Sequence, residues 1–308
     1  MLVAAALTGF AANSLLTRAG LGAGLIDPAS FTGLRLASGA LMLLGLARLR
    51  GPGRGHAGGG SWASATMLGG YAVAFTLAYS RIGAGIGALI LFGAVHVTMV
   101  GTGLVRGERP GLLNWLGLAL AVTGLVVLTR PGLSAPDPLG SLLMAIAGAC
   151  WGVYSLAGRR SRDPLGATAG NFIRATVFGV AFAAISWPSR HVTSTGALLA
   201  VASGALASGV GYTFWYSALP RLAAWRAAVL QLLVPIVTAI SAVVLLSEPM
   251  TSRLVVAMVC VLAGVGLTIR PARGARAISS SASPDEPGPA RLAPDDAGHG
   301  PSGFGAPR

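Results

Sequence analysis

Lysine is absent from this chain: all 22 basic residues are arginine, set against nine acidic ones, for a formal net charge of +13. Charge of either sign is scarce, at 10% of the 308 residues, where a soluble domain carries about 25%. With 54% hydrophobic residues and a mean hydropathy of +0.72, this shortage excludes a soluble globular domain and points to the membrane class. The arginines stand singly along the chain, neither clustered on one basic face nor interleaved with stacking aromatics, so nucleic acid is not a partner. The missing lysine beside abundant Ala, Gly and Arg suggests a GC-rich bacterial source. Cysteine is nearly absent too. Cys150 and Cys260 lie in separate apolar runs, which excludes a disulfide framework and a metal site and leaves them as small buried hydrophobes. There is no His/Cys/Asp cluster at metal spacing, no phosphate-cradling loop ahead of a lysine, and no acidic pair for acid–base work. No catalytic residue, metal or cofactor is expected, and an integral-membrane enzyme is a weak alternative with only His96 as a candidate.

What the chain does contain is apolar runs, at about 2–17, 28–47, 62–80, 82–105, 112–129, 139–157, 166–186, 195–218, 223–246 and 253–269. Most approach the ~20 residues that cross a ~30 Å hydrocarbon core. Each is expected to be a helix, the open-chain solution in lipid. The first run lacks the basic flank of a signal peptide and reads as a retained span. The fold class expected is an all-α integral membrane protein of ten transmembrane helices, with the lipid bilayer as its surroundings. With a cytoplasmic N-terminus, thirteen arginines fall in inside segments and five in outside loops, so both termini face the cytoplasm. Such a bundle is self-sufficient as a monomer and compatible with a homodimer.

The runs repeat. A shift of 140 residues lays 88–131 on 228–271 without a gap, Glu108 falling on Glu248 and Gly124 on Gly264. A shift of 141 lays 10–15 on 151–156, Arg18 on Arg159 and Tyr71 on Tyr212, and a shift of 139 lays Arg35 on Arg174. Five spans per copy is odd, so the second copy enters from the opposite side. An inverted repeat of this kind is the build of many secondary transporters. The domains expected are a first five-helix repeat at 1–131, a connecting loop at 132–140, a second repeat at 141–271 and a cytoplasmic tail at 272–308. That tail is rich in Pro, Gly, Ser, Ala and Asp, and its composition predicts disorder.

Over residues 1 to about 271 the chain resembles the EamA-type permeases of the drug/metabolite transporter superfamily. The residues carrying the resemblance are Asp27 to Phe31 with Arg35, the paired Glu-containing breaks at 107–109 and 247–249, and Leu230 to Pro235. The resemblance implies movement of a small metabolite across the cytoplasmic membrane, often outward, through a cavity between the halves. Two departures stand out. Val95 and His96 occupy the positions of Pro235 and Ile236, where the family commonly has a proline in both halves. The first span also lacks the acidic residue that small multidrug exporters use for proton coupling. The implied substrate is an amino acid or a related polar or amphipathic compound, and a non-transporting structural or signalling protein is the alternative.

Candidate binding residues are the polar and aromatic groups expected deep in the spans. His96 has no polar counterpart and either meets substrate, titrates to couple protons, or is satisfied by a neighbouring helix. Gln231 and Asn13 either contact substrate or tie helices together. The aromatics Tyr71, Phe75, Tyr79, Trp151, Tyr154, Tyr212, Trp215 and Tyr216 divide between cavity wall, packing and interface belt. Arg35 and Arg174 are either anion-attracting or gating groups, or structural arginines, and their repetition favours the structural role. Glu108 and Glu248 are expected to complement the N-terminal dipoles of the fifth and tenth spans.

Overall fold

The computed structural model describes residues 1–49, 59–107, 111–132, 135–158, 161, 163–218, 231 and 233–268. Glu108 and the tail at 272–308 lie outside these residues. The chain is helical, in the order α1 Leu2–Gly22, α2 Pro28–Leu49, α3 Trp62–Tyr79, α4 Ala84–Val105, α5 Leu112–Thr129, α6 Pro138–Gly158 and α7 Pro164–Ile185. A short 3-10 turn, Trp187–Ser189, leads into α8. This span runs as α-helix over Ser194–Ala202, as π-helix over Ser203–Val210, and as α-helix again over Gly211–Ala218. The last two described helices are α9 Leu233–Leu246 and α10 Ser252–Thr268. Among the described residues, seven spans are long and apolar enough to cross a membrane: α1, α2, α4, α5, α6, α7 and Ser194–Trp215. Large apolar side chains such as Val177, Val180, Leu198 and Leu206 stand exposed along them. That pattern fits a lipid solvent and would be a liability in water.

The helix starts follow from local chemistry. Asp-Pro opens three of them. Proline tolerates the first helical position because its missing N–H has no intrahelical acceptor there, and the preceding aspartate accepts from the free N–H groups. Asp27 accepts from Ala29 N (3.1 Å) and Ser30 N (2.9 Å), Asp137 from Gly140 N (2.6 Å), and Asp163 from Gly166 N (3.1 Å). Ser61 and Thr193 cap α3 and α8 in the same way.

Packing is close because the contact positions are small. Helix α2 runs along α7, α3 along α6, and α5 along α10, while α4 packs on α6 and α9, and α1 on α8 and α9. Without a hydrophobic drive between helices in lipid, such close backbone approach is what holds them together. A Cβ placed on Gly9 of α1 would stand 3.2 Å from Cα of Gly211 on α8.

A clasp joins the α1–α2 loop to the segment before α8. Asp27 N donates to His191 O (2.8 Å), His191 N donates to Asp27 Oδ2 (3.0 Å), and Thr193 N and Oγ1 both donate to Leu25 O. Burial works to raise the Asp27 carboxyl, but hydrogen bonds from Ser30, His191 and Ala29 outweigh it and hold the group below the usual carboxylate range. A carboxyl depressed in the folded state contributes stability above its unfolded value and loses it as pH falls through the folded value. Asp27→Ala is therefore expected to cost about 1 kcal/mol at pH 7, the worth of an N-cap. Thermal unfolding should show that cost shrinking in acid, and a cost unchanged down to about pH 3 would sink the assignment to the ionised carboxylate.

Candidate functional site

A narrow cavity lies among the helices, with free space in this conformation for little more than a water molecule. Helix α1 supplies Phe10, Asn13 and Ser14, α3 supplies Tyr71 and Phe75, and α4 supplies Leu91 and Phe92. Trp151 comes from α6, Ala207, Ser208 and Tyr212 from α8, and Gln231 precedes α9. The wall is largely aromatic. Trp151 stacks on Tyr212 (centroids 5.2 Å, 25°) and meets Tyr71 at 5.0 Å, and Tyr71 meets Phe75 at 5.1 Å. Every described lining residue is uncharged, so the cavity offers ring faces and a few neutral polar groups.

A buried polar chain stands behind this wall. Ser203 Oγ donates to Asn13 Oδ1 (2.7 Å), and Asn13 Nδ2 donates to the Tyr71 hydroxyl (3.2 Å). Arg35 Nη2 donates to the same hydroxyl (3.1 Å). Ser203 opens the π-helical stretch of α8, and Ala207 and Ser208 within it reach the cavity. The wider turn rotates the residues that follow relative to a straight α-helix, a device frequent at functional sites.

Of the residues expected from sequence, Asn13, Phe75, Trp151, Tyr212 and Gln231 line the cavity. Tyr79, Tyr154 and Trp215 stand one layer back, against Phe75 (4.6 Å), Trp151 (5.5 Å) and Phe10 (5.7 Å) respectively. His96, half-buried on α4 one turn beyond Phe92, is not among the described lining residues. Ser14, Ala207 and Ser208 were not legible as site residues. They sit in Gly/Ala/Ser-rich stretches whose composition reads as helix packing.

The two repeated arginines differ. Arg174 Nη1 donates to Gly59 O (2.8 Å) and Gly170 O (3.0 Å), a structural role. Arg35 is 1% exposed and lies across the rings of Phe75 (4.8 Å) and Tyr71 (5.2 Å). Glu248 also departs from expectation. Its carboxylate accepts from Ala84 N at 2.9 Å (Oε1) and 2.8 Å (Oε2), and pairs with Arg18 Nε at 3.1 Å. The dipole it complements is that of α4 rather than of α10. Ser247, at φ +53°, turns the chain between α9 and α10 just ahead of Glu248.

Comparison with known proteins agrees with this architecture. The EamA-like transporter family model matches residues 138–270. The threonine/homoserine exporter RhtA of Salmonella typhimurium is 31% identical over 215 residues, 66% of this chain and 69% of the exporter. The chain belongs to the EamA-like transporter family. An uncharacterized protein of Pseudomonas aeruginosa is 47% identical over 274 residues, covering 89% of this chain and 95% of that protein. A crystal structure 20% identical in sequence superposes with a TM-score of 0.64 over 87% of this chain and 96% of that one, which shows a shared fold. This EamA-like transporter is thus a multi-pass membrane protein that carries a small molecule.

Proposed function

We propose that this transporter exports an amino acid or a related small polar compound across the bacterial cytoplasmic membrane by alternating access. In this reading ten spans form two inverted five-helix halves, 1–131 and 141–271, with both termini cytoplasmic. One half rocks against the other around the cavity. The observation that carries the reading is the composition of that cavity, aromatic faces with Asn13, Ser208 and Gln231 as isolated polar groups, built from both halves.

Packing supports the inverted arrangement. A Cβ on Gly124 would stand 2.9 Å from Ala257 O, and one on Gly264 would stand 2.5 Å from Gly117 O. A shift of 140 exchanges both members of these contacts, as a two-fold relation between the halves requires. The amino-acid class rests on the relatives named as a threonine/homoserine exporter and as a probable amino-acid metabolite efflux pump.

Counterflow in proteoliposomes tests the reading, with labelled L-threonine and L-homoserine as first probes. Saturable exchange is expected, and Trp151→Ala should reduce it by roughly tenfold or more, since losing one stacked ring face and its buried area removes at least ~1.4 kcal/mol of binding. Exchange no faster than in empty liposomes for every amino acid offered would overturn the amino-acid assignment. A pH gradient imposed in the same vesicles tests proton coupling. Stimulation that disappears in His96→Gln while exchange persists would assign the coupling to that residue.

A further inference from the structure

The repeat places Arg35 and Arg174 at matching positions, yet the two guanidinium groups are treated differently. Arg174 is satisfied by two backbone carbonyls. Arg35 spends one nitrogen on the Tyr71 hydroxyl, while its Nε and Nη1 are buried and have no hydrogen-bond partner among the described residues. An arginine kept for scaffolding inside a membrane would be expected to find carbonyls or a carboxylate, because leaving charged donors unmet is costly. Among the described residues no carboxylate is at hand. Each of the four described acidic side chains, Asp27, Asp137, Asp163 and Glu248, serves a helix N-terminus. Among the described residues the faces of Phe75 and Tyr71 are what offsets the positive charge, and both rings are part of the cavity wall.

We propose that Arg35 is the carboxylate-binding residue of the central cavity, so that the transported compound enters as a monocarboxylate with its acid group directed at Arg35 and Tyr71. This inference rests on the transport reading above and names the substrate group that the cavity selects. The Tyr71 hydroxyl accepts from both Arg35 and Asn13, which leaves its own proton to donate. Guanidinium and phenol together present donors of the kind a carboxylate's oxygens accept. In the present conformation the open nitrogens are covered, and the ligand reaches them as the Tyr71 and Phe75 rings give way. One guanidinium behind the wall, with no cation among the described lining residues, suits a single negative charge, and a phosphate dianion would be left half neutralised. Ser208 Oγ, also in the cavity lining, is buried with no hydrogen-bond partner among the described residues and offers a polar contact to the remainder of the ligand.

The test is ligand-dependent thermal stabilisation of the purified full chain in detergent, using L-threonine, L-homoserine and propionate against L-threoninamide and propionamide. Carboxylates at saturating concentration should raise the melting temperature by several degrees, and the amides by less than about one. Arg35→Gln should abolish the difference while melting no lower than the wild type, because it removes a buried charge lacking a counter-ion. Arg35→Lys should retain a reduced preference, and Tyr71→Phe, which keeps the ring, should weaken it several-fold. Equal stabilisation of the wild type by acids and amides would overturn the inference, as would no stabilisation by any carboxylate. Arg35→Gln that melts lower yet keeps the preference would also overturn it and restore the scaffold role. Counterflow separates the two failures: threonine exchange competed equally by threoninamide leaves the transporter and removes the carboxylate site, whereas carboxylate stabilisation without exchange leaves the site and removes the amino-acid export reading.

Discussion

Glu248→Ala is expected to destabilise the protein by about 2–3 kcal/mol, the sum of a lost helix cap and a broken, partly buried ion pair. One carboxylate holds three elements. It caps α4 through Ala84 N and Gly85 N, and it binds Arg18, whose Nη1 in turn donates to Tyr79 O at the end of α3 (2.9 Å). Its place is made by Gly83, where a Cβ would stand 2.6 Å from Glu248 Oε2. The side chains of Arg18 and Glu248 are 25% and 17% exposed, so solvent screens the pair only partly. Glu248→Gln keeps an acceptor for the α4 amides and should lose roughly half as much, since hydrogen bonds to a charged group are about twice as strong as neutral ones. Arg18→Met leaves the cap intact and should cost less than Glu248→Ala. Unfolding free energies of the two single variants and the double variant would measure the coupling. Additive losses would mean that the cap alone matters and that the ion pair contributes nothing.

Gly264→Ala should be strongly destabilising. Its Cβ would meet Gly117 O at 2.5 Å and Ala121 N at 2.6 Å. Both are backbone atoms of α5, so relief requires the helices to separate along their length. Overpacking of this kind costs about 1–3 kcal/mol, and the loss of neighbouring contacts as the helices part takes the expected value to the upper end. Gly266, two residues on in the same helix, has nothing within 4 Å of where a Cβ would stand. Gly266→Ala should therefore be neutral or stabilising by up to ~1 kcal/mol through helix propensity. Melting temperatures and expression of the two variants decide the matter. Similar behaviour would show that propensity, and not the α5–α10 contact, governs this helix.

The sequence by itself determined the elements. Runs of apolar residues bounded by Asp-Pro, Gly or Ser place helix ends close to where they occur; the run at 112–129 matches α5 at both ends. The first span proved longer than its apolar run, reaching Gly22, because Arg18 pairs with Glu248 rather than ending the helix. Aromatic and amide side chains too costly to leave in lipid without purpose pointed to Asn13, Phe75, Trp151, Tyr212 and Gln231. What only the tertiary structure decided is which groups meet. Arg35 and Arg174 are alike in any one-dimensional reading, yet one finds carbonyls and the other finds ring faces. Glu248 belongs by sequence to the start of α10 and in space to the start of α4. Ser208 is one small residue among many until the π-helical turn brings it to the cavity. Periodicity and capping are local and follow from a few neighbouring residues, whereas hydrogen-bond satisfaction inside this bundle depends on partners 36 to 190 residues away. The cavity is made of such long-range pairings, and so its chemistry became legible only once the helices were packed.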